Sequence, residues 1–411
     1  MESQMSSGRA GSLEADEPVI PVAHDVSPAA TPRPGSTHRR RWIAAVLTVL
    51  LVGPGVSYAQ ALAYPGSASW QMRSVEWFRN HGGSNVVNAA ENWYYTIQPP
   101  RGSAPAPAAL PVVTSQVARS LTAANGTGVR PDLRPPTALP VLTARSAVPG
   151  EGRWVPGRLS GNGVPAIYTS FLRPDPAHPS VFAGVAWMRA RATYAHLVAG
   201  TVEPTGSGWS RGAHVPASDV PALVATFNSG WTLHDARGGF YLSGRGAGSL
   251  RDGQASLVID DQGTVTLGQW GRDVTMGRHV VAVRQNLALV VDHGRPVAGL
   301  SSNVGQRWGN AKNQYQFTWR SGAGVDATGN LVYVAGADLT LTALATALTD
   351  AGAVRGMELD IHTVMVSFAS WAPSTGGSVT PTKLLPRMNR PADRYLASDQ
   401  RDFFYLTLRS T

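Results

Sequence analysis

Residues 340–362, TLTALATALTDAGAVRGMELDIH, carry the most regular pattern in the chain, a helix followed directly by a strand. One apolar face recurs at the i, i+3, i+4, i+7 spacing of an α-helix: Leu341, Leu344, Ala345 and Leu348. Thr340 is suited to cap the start of this helix, and Gly352 follows its last turn. Residues 354–359 then predict a strand that ends in acidic side chains.

Short strands dominate the sequence around this unit. Runs of strand-forming residues recur at 181–188, 194–199, 223–227, 256–259, 280–283, 287–291, 317–320, 331–334 and 403–408. Turn pairs such as Asp252-Gly253 and Gly329-Asn330 separate them. Residues 118–411 are therefore expected to form one α+β domain, built on a large mixed β-sheet with few helices.

The end of the strand at 354–359 carries the sharpest candidates for chemistry. Because alternate side chains of a strand share a face, Glu358 and Asp360 are expected to stand roughly 6–7 Å apart on one side. Such a carboxylate pair suits glycosyl hydrolysis or a shared cation. The structural alternative is that Glu358 pairs with an arginine and Asp360 caps the following turn. His362 is either an acid or base near neutral pH or a surface histidine.

Two other strand ends carry polar side chains. Asn228 and Gly230 follow the run at 223–227, where such residues either shape a turn or contact a ligand. Arg320 lies among strand-like residues and needs an anionic partner, which is either a protein carboxylate or a ligand phosphate. From the residues alone, both alternatives stay open at each position.

The N-terminal region has three parts. Residues 1–41 are rich in Pro, Ala, Ser and acidic residues and predict a disordered cytoplasmic tail. Residues 42–63 are uncharged and long enough for a transmembrane signal anchor, with the arginines at 39–41 retained in the cytoplasm. Residues 64–117 predict a helical stalk followed by a Pro/Ala-rich linker.

Two interpretations of residues 42–63 place the main domain outside the cytoplasm. An uncleaved anchor gives a single-pass membrane protein. Alternatively, Ala59-Gln60-Ala61 resembles a small-residue cleavage site, so that the protein is secreted after cleavage near Ala61. The uncleaved anchor is favoured because the apolar stretch is long.

Composition excludes several function classes. The 411 residues contain no cysteine, which removes disulfides, thiolate zinc sites and cysteine nucleophiles. No histidine pair has metal-ligand spacing and no Gly-x-Ser-x-Gly motif occurs, so neither a transition-metal site nor a serine hydrolase is indicated. The net charge of +9 comes from scattered arginines, which argues against a nucleic-acid partner. No cofactor is expected, apart from the alternative of a divalent cation such as calcium at the carboxylates.

The order of these motifs resembles that of the phosphodiester glycosidase family, whose type enzyme removes N-acetylglucosamine from phosphate on glycans. That family carries Asn-Gly-Gly-Phe at a strand end, a Gly-rich loop with Asp-Gly, Arg-Thr-Ala-x-Gly, a Leu/Thr-rich helix and Leu-Asp-Gly-Gly-Gly-Ser. The similar segments here follow in the same order: 228–231, 249–253, 320–324, 339–351 and Leu359-Asp360. The resemblance covers about 181–370 and is that of a divergent bacterial member.

Two of these segments depart from the family pattern. Ile361-His362-Thr363-Val364 replaces the glycines after the aspartate, and Asn-Ser-Gly-Trp at 228–231 replaces Asn-Gly-Gly-Phe. Glycine permits close approach of backbone or ligand, so its loss narrows the pocket or changes the substrate.

The resemblance implies a hydrolase that acts on a sugar-1-phosphodiester or a related cell-envelope glycan. In that reaction Asp360 stabilises the sugar or activates water, Glu358 is the second candidate, and His362 is an extra acid or base. The implied substrate-binding residues are Arg320, which clamps the phosphate, with Asn228 and Gly230.

The alternative is a non-catalytic module of the cell envelope that binds a glycan or a partner protein on the same scaffold. It is favoured by the missing glycines and by tryptophans suited to stack on sugars: Trp231, Trp308, Trp319 and Trp371. Turnover of a sugar-phosphate diester separates this alternative from the enzyme.

Overall fold

The structure is a computed structural model that describes residues 36–64, 66–83, 86–87, 89–90, 93, 100, 105–111, 134–142, 148–206, 208–209, 212–309 and 317–409. The chain divides into two compact units, Met1–Ser57 and Tyr58–Thr411. Every described strand belongs to the second unit. Most of the predicted tail at 1–41, much of the predicted stalk and linker at 64–117, and the predicted start of the domain at 118 lie outside the described residues.

Helices are few among the described residues. Those described over their full length are α1 (Ser36–Ala63), α2 (Trp70–Phe78), α3 (Leu233–Ala236) and α4 (Leu341–Asp350), and residues 86–87, 89–90 and 93 are also helical. The turn Arg79–Gly83 follows α2 and leaves helical geometry at His81 and Gly82. The predicted anchor at 42–63 lies within α1, and none of the helices in the described part of the chain combines the length and apolarity that crossing a membrane requires.

The strands are short, as the spacing of turn signals predicted. They are β1 (Val155–Pro156), β2 (Ile167–Leu172), β3 (Ala183–Met188), β4 (Thr193–Val198), β5 (Leu223–Asn228), β6 (Phe240–Leu242), β7 (Arg245–Ala247), β8 (Ala255–Asp260), β9 (Val265–Gln269), β10 (Val280–Gln285), β11 (Leu289–Asp292), β12 (Arg295–Pro296), β13 (Thr318–Asp326), β14 (Leu331–Leu339), β15 (Ala353–Ile361), β16 (Phe368–Pro373), β17 (Val379–Lys383) and β18 (Phe403–Leu408).

These strands form three sheets. The largest has eight strands in the order β1-β2-β3-β14-β13-β15-β11-β12. The other two have five strands each, in the orders β7-β6-β10-β8-β9 and β17-β16-β5-β18-β4. The prediction of a mostly-sheet domain with few helices is confirmed.

Every pairing between the described strands is antiparallel, so the prediction of a mixed sheet is wrong. The reason lies in the connections. Neighbours such as β13 and β14 are joined by a tight turn at 327–330. Parallel neighbours need crossovers of a dozen or more residues, which such turns cannot supply.

The helix and strand predicted from residues 340–362 are confirmed. Thr340 Oγ1 accepts a hydrogen bond from Ala343 N at 3.1 Å and so caps α4. Leu344 and Leu348 are fully buried, and α4 packs on β13, β14 and β15. After α4 the chain turns at Gly352, whose φ of 89° is favoured in glycine. β15 then lies between β13 and β11, which places its end deep in the large sheet.

Gly324 of β13 is packed closely against β15. A methyl group there would lie 2.7 Å from Ala353 Cβ and 2.9 Å from Arg355 O. We expect Gly324→Ala to lower the free energy of unfolding by about 1–3 kcal/mol in urea denaturation, because these atoms must shift. Gly277→Ala is the control, since its methyl group would meet only Val280 Cγ2, at 3.9 Å. Equal losses in the two variants would contradict the packing argument.

Candidate functional site

A β-bulge separates the two carboxylates that were predicted to share a face. Arg320 of β13 lies opposite Ile361 of β15, and Gly322 lies opposite Glu358. β13 thus advances by two residues (320 to 322) where β15 advances by three (358 to 361). The extra residue interrupts the alternation of side chains along β15. Glu358 is fully buried within the sheet, whereas Asp360 lines a cleft, so the expected shared face is not formed.

Arg320 and Glu358 form an ion pair inside the large sheet. Arg320 Nη1 lies 2.6 Å from Glu358 Oε1, and both side chains have 0% exposure. Arg320 Nε also donates a hydrogen bond to Leu339 O at 2.8 Å. The anion that Arg320 needs is therefore a protein carboxylate. Neither side chain lines the cleft, so the predicted phosphate contact from Arg320 does not fit its position.

Asn228 is a buried connector rather than part of the cleft lining. Its Oδ1 accepts hydrogen bonds from Tyr333 OH at 2.9 Å and Ser367 N at 3.0 Å. Its Nδ2 donates to Ser321 Oγ at 3.0 Å, and that hydroxyl donates to Asp360 O at 2.8 Å. Asn228 therefore supports the backbone that carries Asp360, with its amide committed to the protein.

Asp360 lies in a cleft of about 600 Å³. Its Oδ2 is 3.0 Å from Arg401 Nη2, and its Oδ1 accepts a hydrogen bond from Ile361 N at 2.9 Å. Arg401 Nη2 also donates to Gly230 O at 2.9 Å. Further residues lining the cleft are His362, Glu203, Trp231 and Arg79. The cleft therefore presents a carboxylate and a guanidinium that contact each other directly.

Gly230 serves the site through its backbone. A Cβ at Gly230 would lie 2.8 Å from Asn286 Oδ1. Asn286 donates to Glu358 O at 2.7 Å and to Leu359 O at 3.1 Å, and it accepts from Trp231 N at 3.1 Å. The missing side chain lets Asn286 tie the turn after β5 to β15, which holds Trp231 and Gly230 O at the cleft.

Burial sets the protonation of the two titratable side chains at the end of β15. It raises the pKa of Asp360 to about 6, although Arg401 beside it favours the charged form. Burial also lowers the pKa of His362 well below its usual value, and the charges of Arg79 and Arg320 add to this. At pH 7 Asp360 is therefore ionised and His362 neutral. A carboxylate with such a pKa is suited to accept a proton near neutral pH.

His362, the second residue after Asp360, adopts an unusual backbone conformation. His362 has a φ of 77°, in the region that glycine adopts without strain. A non-glycine residue held there costs about 1–3 kcal/mol, and such strain is concentrated at functional sites. His362 N donates to Trp319 O at 2.8 Å, which helps to hold this conformation.

Sequence analysis missed Arg401 and Glu203 as site residues. Arg401 lies in no recognisable motif, and both residues are far in sequence from Asp360. The signal available was a stretch dense in charge, 399–402, directly before β18 in a chain with 15% charged residues. Charge density alone does not predict which side chain reaches a cleft.

Of the four tryptophans considered as sugar platforms, Trp231 alone lines the cleft. It packs with Leu287 and Ile361 and so forms an apolar part of the lining. Trp231 is 9% exposed, and the other three are 1–6% exposed within the hydrophobic cores: Trp308, Trp319 and Trp371. Trp231 is therefore the candidate among the four for stacking on a sugar at this cleft.

No group of three or more histidine, aspartate or glutamate side chains in the described ranges is arranged to hold a metal ion. A cation shared by Glu358 and Asp360 does not fit their positions, because Glu358 is bonded to Arg320 and Asp360 to Arg401. Binding of a divalent cation such as calcium together with the substrate stays a prediction.

The Glu358 carboxyl is expected to make stability depend on pH. Burial raises the pKa of Glu358 to about 7 from the ordinary glutamate value of 4.5, although Arg320 lowers it. Between these two pH values the folded protein binds more protons than the unfolded chain. The contribution of Glu358 to the free energy of unfolding is therefore complete below pH 4.5 and is lost as pH rises to about 7. We expect the free energy of unfolding of the wild type to fall relative to that of Glu358→Gln over this range. Urea titrations showing a constant difference would contradict the raised pKa.

The fold and the cleft together define a class of protein, an antiparallel β domain with a carboxylate and a guanidinium in contact at one cleft.

No protein-family model and no curated protein matches the sequence. Among solved structures, the chain is similar to the zebrafish N-acetylglucosamine-1-phosphodiester alpha-N-acetylglucosaminidase catalytic domain, auto-inhibited by its pro-peptide. The identity is 16% over 62% of this chain and 87% of that chain, with a TM-score of 0.39.

Two other similar structures are a hypothetical protein from Synechocystis and a protein from Burkholderia pseudomallei. The first is 14% identical over 59% of this chain and 62% of its own, with a TM-score of 0.38. The second is 14% identical over 56% of this chain and 74% of its own, with a TM-score of 0.28. Likenesses at this level do not show a family, so the resemblance to the phosphodiester glycosidases stays a prediction.

Proposed function

We propose that this chain hydrolyses the bond between the anomeric carbon of a sugar and a phosphate, in a sugar-1-phosphodiester or a related cell-envelope glycan. The observation that supports the proposal most is the 3.0 Å contact between Asp360 Oδ2 and Arg401 Nη2 at the cleft. A carboxylate suits the positive charge that develops on the sugar, and a guanidinium suits the phosphate. The phosphate role thus passes from Arg320, which is buried against Glu358, to Arg401.

Arg401 retains hydrogen-bonding capacity for a ligand. Its Nη2 contacts Asp360 and Gly230 O, while its Nε is buried and has no acceptor among the described residues. The Arg401 side chain is 14% exposed and lines the cleft, so the accessible part of its guanidinium can donate to a phosphate oxygen there. The guanidinium is therefore suited to bind the phosphate while it holds Asp360 in place.

The proposed reaction follows from the protonation states of Asp360 and His362 at pH 7. Asp360 is ionised and takes a proton from a water molecule, whose oxygen attacks the anomeric carbon. The bond from that carbon to the phosphate oxygen breaks, and its electron pair leaves with the phosphate, whose charge Arg401 offsets. His362 is neutral and binds protons poorly, so it lines the site in this proposal and is not the base. Trp231 offers its ring to the apolar face of the sugar.

We also propose that the domain acts outside the cytoplasm, anchored through residues 42–63 or released by cleavage near Ala61. The support is the sequence pattern of an uncharged stretch preceded by arginines. Carbonate extraction of membranes from cells that express the full chain tests the anchor. Retention in the membrane pellet is expected, and complete recovery in the soluble fraction would count against an anchor.

Turnover by the full-length protein tests the proposed reaction. N-acetylglucosamine 1-(methyl phosphate) is incubated with the protein, and mass spectrometry follows free sugar and methyl phosphate. We expect both products in equal amounts. If the wild-type protein releases neither from this compound or from analogues with other sugars, the proposed function is contradicted.

Trp231 also favours the second candidate, a module that binds a glycan without cleaving it. It is the aromatic side chain that lines the cleft beside the charged pair. In this case a glycan array detects binding that Trp231→Ala abolishes, and the turnover assay gives no product. Product formation would exclude this candidate.

A further inference from the structure

Glu203 is a second carboxylate at the cleft of Asp360. It is 9% exposed and lines the cleft together with Asp360 and Arg401. Its Oε2 accepts a hydrogen bond from Leu233 N, at the start of α3, at 3.3 Å. Glu203 follows β4 and Asp360 is in β15, so only the fold brings the two carboxyl groups to one cleft.

The backbone around Glu203 is clamped to the segment that leads into Arg401. Three backbone hydrogen bonds of 3.1, 3.0 and 2.9 Å join residues 201–203 to residues 399–400. A Cβ at Gly200 would lie 2.4 Å from a carbonyl oxygen of that segment, so this approach requires glycine. The clamp holds Glu203 beside Arg401 by main-chain contacts, and not through a flexible loop.

The two carboxyl groups have different surroundings. Burial raises the pKa of Asp360 to about 6, but its direct contact with Arg401 and its backbone hydrogen bond favour the ionised form. Glu203 accepts a hydrogen bond from Leu233 N and has no ion pair among the described residues. Burial raises the pKa of Glu203 and the charge of Asp402 adds to the rise, while Arg401 and Arg284 oppose it. A pair of carboxyl groups in unequal environments suits a division into base and acid.

We propose that Glu203 is the catalytic acid that works with Asp360, an inference that rests on the proposed function above. Asp360 takes the proton of the attacking water, and the water oxygen bonds to the anomeric carbon. As the carbon–oxygen bond breaks, its electron pair passes to the phosphate oxygen, which receives the proton of Glu203. Solvent then removes the proton from Asp360 and restores that of Glu203. A phosphate monoester dianion binds a proton with a pKa of about 6, so the departing oxygen can accept the proton of a carboxylic acid as the bond breaks.

Two substrates with different leaving groups test the role of Glu203. Methyl phosphate leaves N-acetylglucosamine 1-(methyl phosphate) with a proton from the acid, whereas fluoride leaves N-acetylglucosaminyl fluoride without one. We expect Glu203→Gln in the full chain to lower kcat/KM about a hundredfold on the phosphodiester and less than about threefold on the fluoride. Asp360→Asn is expected to lower kcat/KM on both, because both need activated water.

Asp261→Asn is the control, since it makes a similar change at a 43% exposed carboxylate that does not line the cleft, and it leaves both rates unchanged. Thermal unfolding shows that Glu203→Gln is folded. No loss in Glu203→Gln, or equal losses on the two substrates, would overturn the role as acid. If the wild-type protein turns over neither substrate, the proposed function fails, which is a distinct result from failure of Glu203 alone.

Discussion

Replacing Arg320 by methionine is expected to lower the free energy of unfolding by about 3–5 kcal/mol. The guanidinium is fully buried, 2.6 Å from Glu358 Oε1, and it also donates to Leu339 O at 2.8 Å. Methionine fills the space of the aliphatic stem but leaves the carboxyl group of Glu358 without its cation. The folded protein must then bind a proton at that group or hold an unpaired charge away from water. Urea denaturation followed by tryptophan fluorescence measures the loss.

The same change at an exposed arginine is the matched control. Arg295 is exposed in β12 and has no ion pair among the described residues, so Arg295→Met is expected to cost less than about 0.5 kcal/mol. Combining Arg320→Met with Glu358→Leu should recover much of the loss, because replacement of both partners removes the unpaired charge. If Arg320→Met lowered the free energy of unfolding no more than the control does, Arg320 would not stabilise the fold through its buried ion pair.

Asp360→Asn is expected to reduce kcat on the sugar phosphodiester by about 10²–10⁴-fold. Asparagine retains an oxygen that can accept the hydrogen bond from Ile361 N, so the end of β15 keeps its conformation. It cannot take a proton from water, and it removes the negative charge in contact with Arg401. Asp261→Asn is the control, because that carboxylate is 43% exposed and bonded to His279 away from the cleft. Steady-state kinetics with a folded Asp360→Asn variant at wild-type rates would contradict the role of base.

The wild-type rate should also depend on pH in the direction set by Asp360. Because burial raises the pKa of Asp360 to about 6, the carboxyl is protonated and inactive as a base below this value. We expect kcat/KM to fall as pH is lowered through about 6, and this limb to be absent from the residual activity of Asp360→Asn. A rate that stays level down to pH 4 would show that this group is not the base.

The helix and strand of residues 340–361 could be predicted from sequence because one apolar face repeats every three to four residues. The order of strands within the sheets could not, since it depends on contacts between residues distant in the chain. The mixed sheet was wrong for this reason, although turn pairs such as Gly329-Asn330 point to antiparallel neighbours. Local pattern therefore predicts elements better than their pairing.

The candidate site was predicted in part. Asp360 and His362 do line the cleft, and Gly230 contributes its carbonyl oxygen to Arg401. Glu358 could not be placed, because a single extra residue in β15 reverses the expected alternation and no side chain in the sequence signals it.

Arg320 and Asn228 show why sequence predicts the segments around the candidate site better than the residues that line it. Arg320 pairs with Glu358 of β15, and Asn228 is linked to Asp360 O through Ser321, so each bonds to buried groups of the protein and supports the site from within. Arg401 supplies the guanidinium at the cleft, from a segment that carries no motif. Residue type and motif order indicate which segments meet, whereas side-chain direction depends on the local register.

The most direct test of the central claim, that the cleft of Asp360 and Arg401 cleaves the anomeric bond, is hydrolysis of N-acetylglucosamine 1-(methyl phosphate) in water enriched in oxygen-18. Mass spectrometry of the products shows which bond was broken. The account predicts that the wild-type protein places the heavy oxygen on the free sugar, because water attacks carbon, and that Asp360→Asn gives almost no product. Heavy oxygen in the methyl phosphate would show attack at phosphorus and would contradict the account, as would the absence of any hydrolysis.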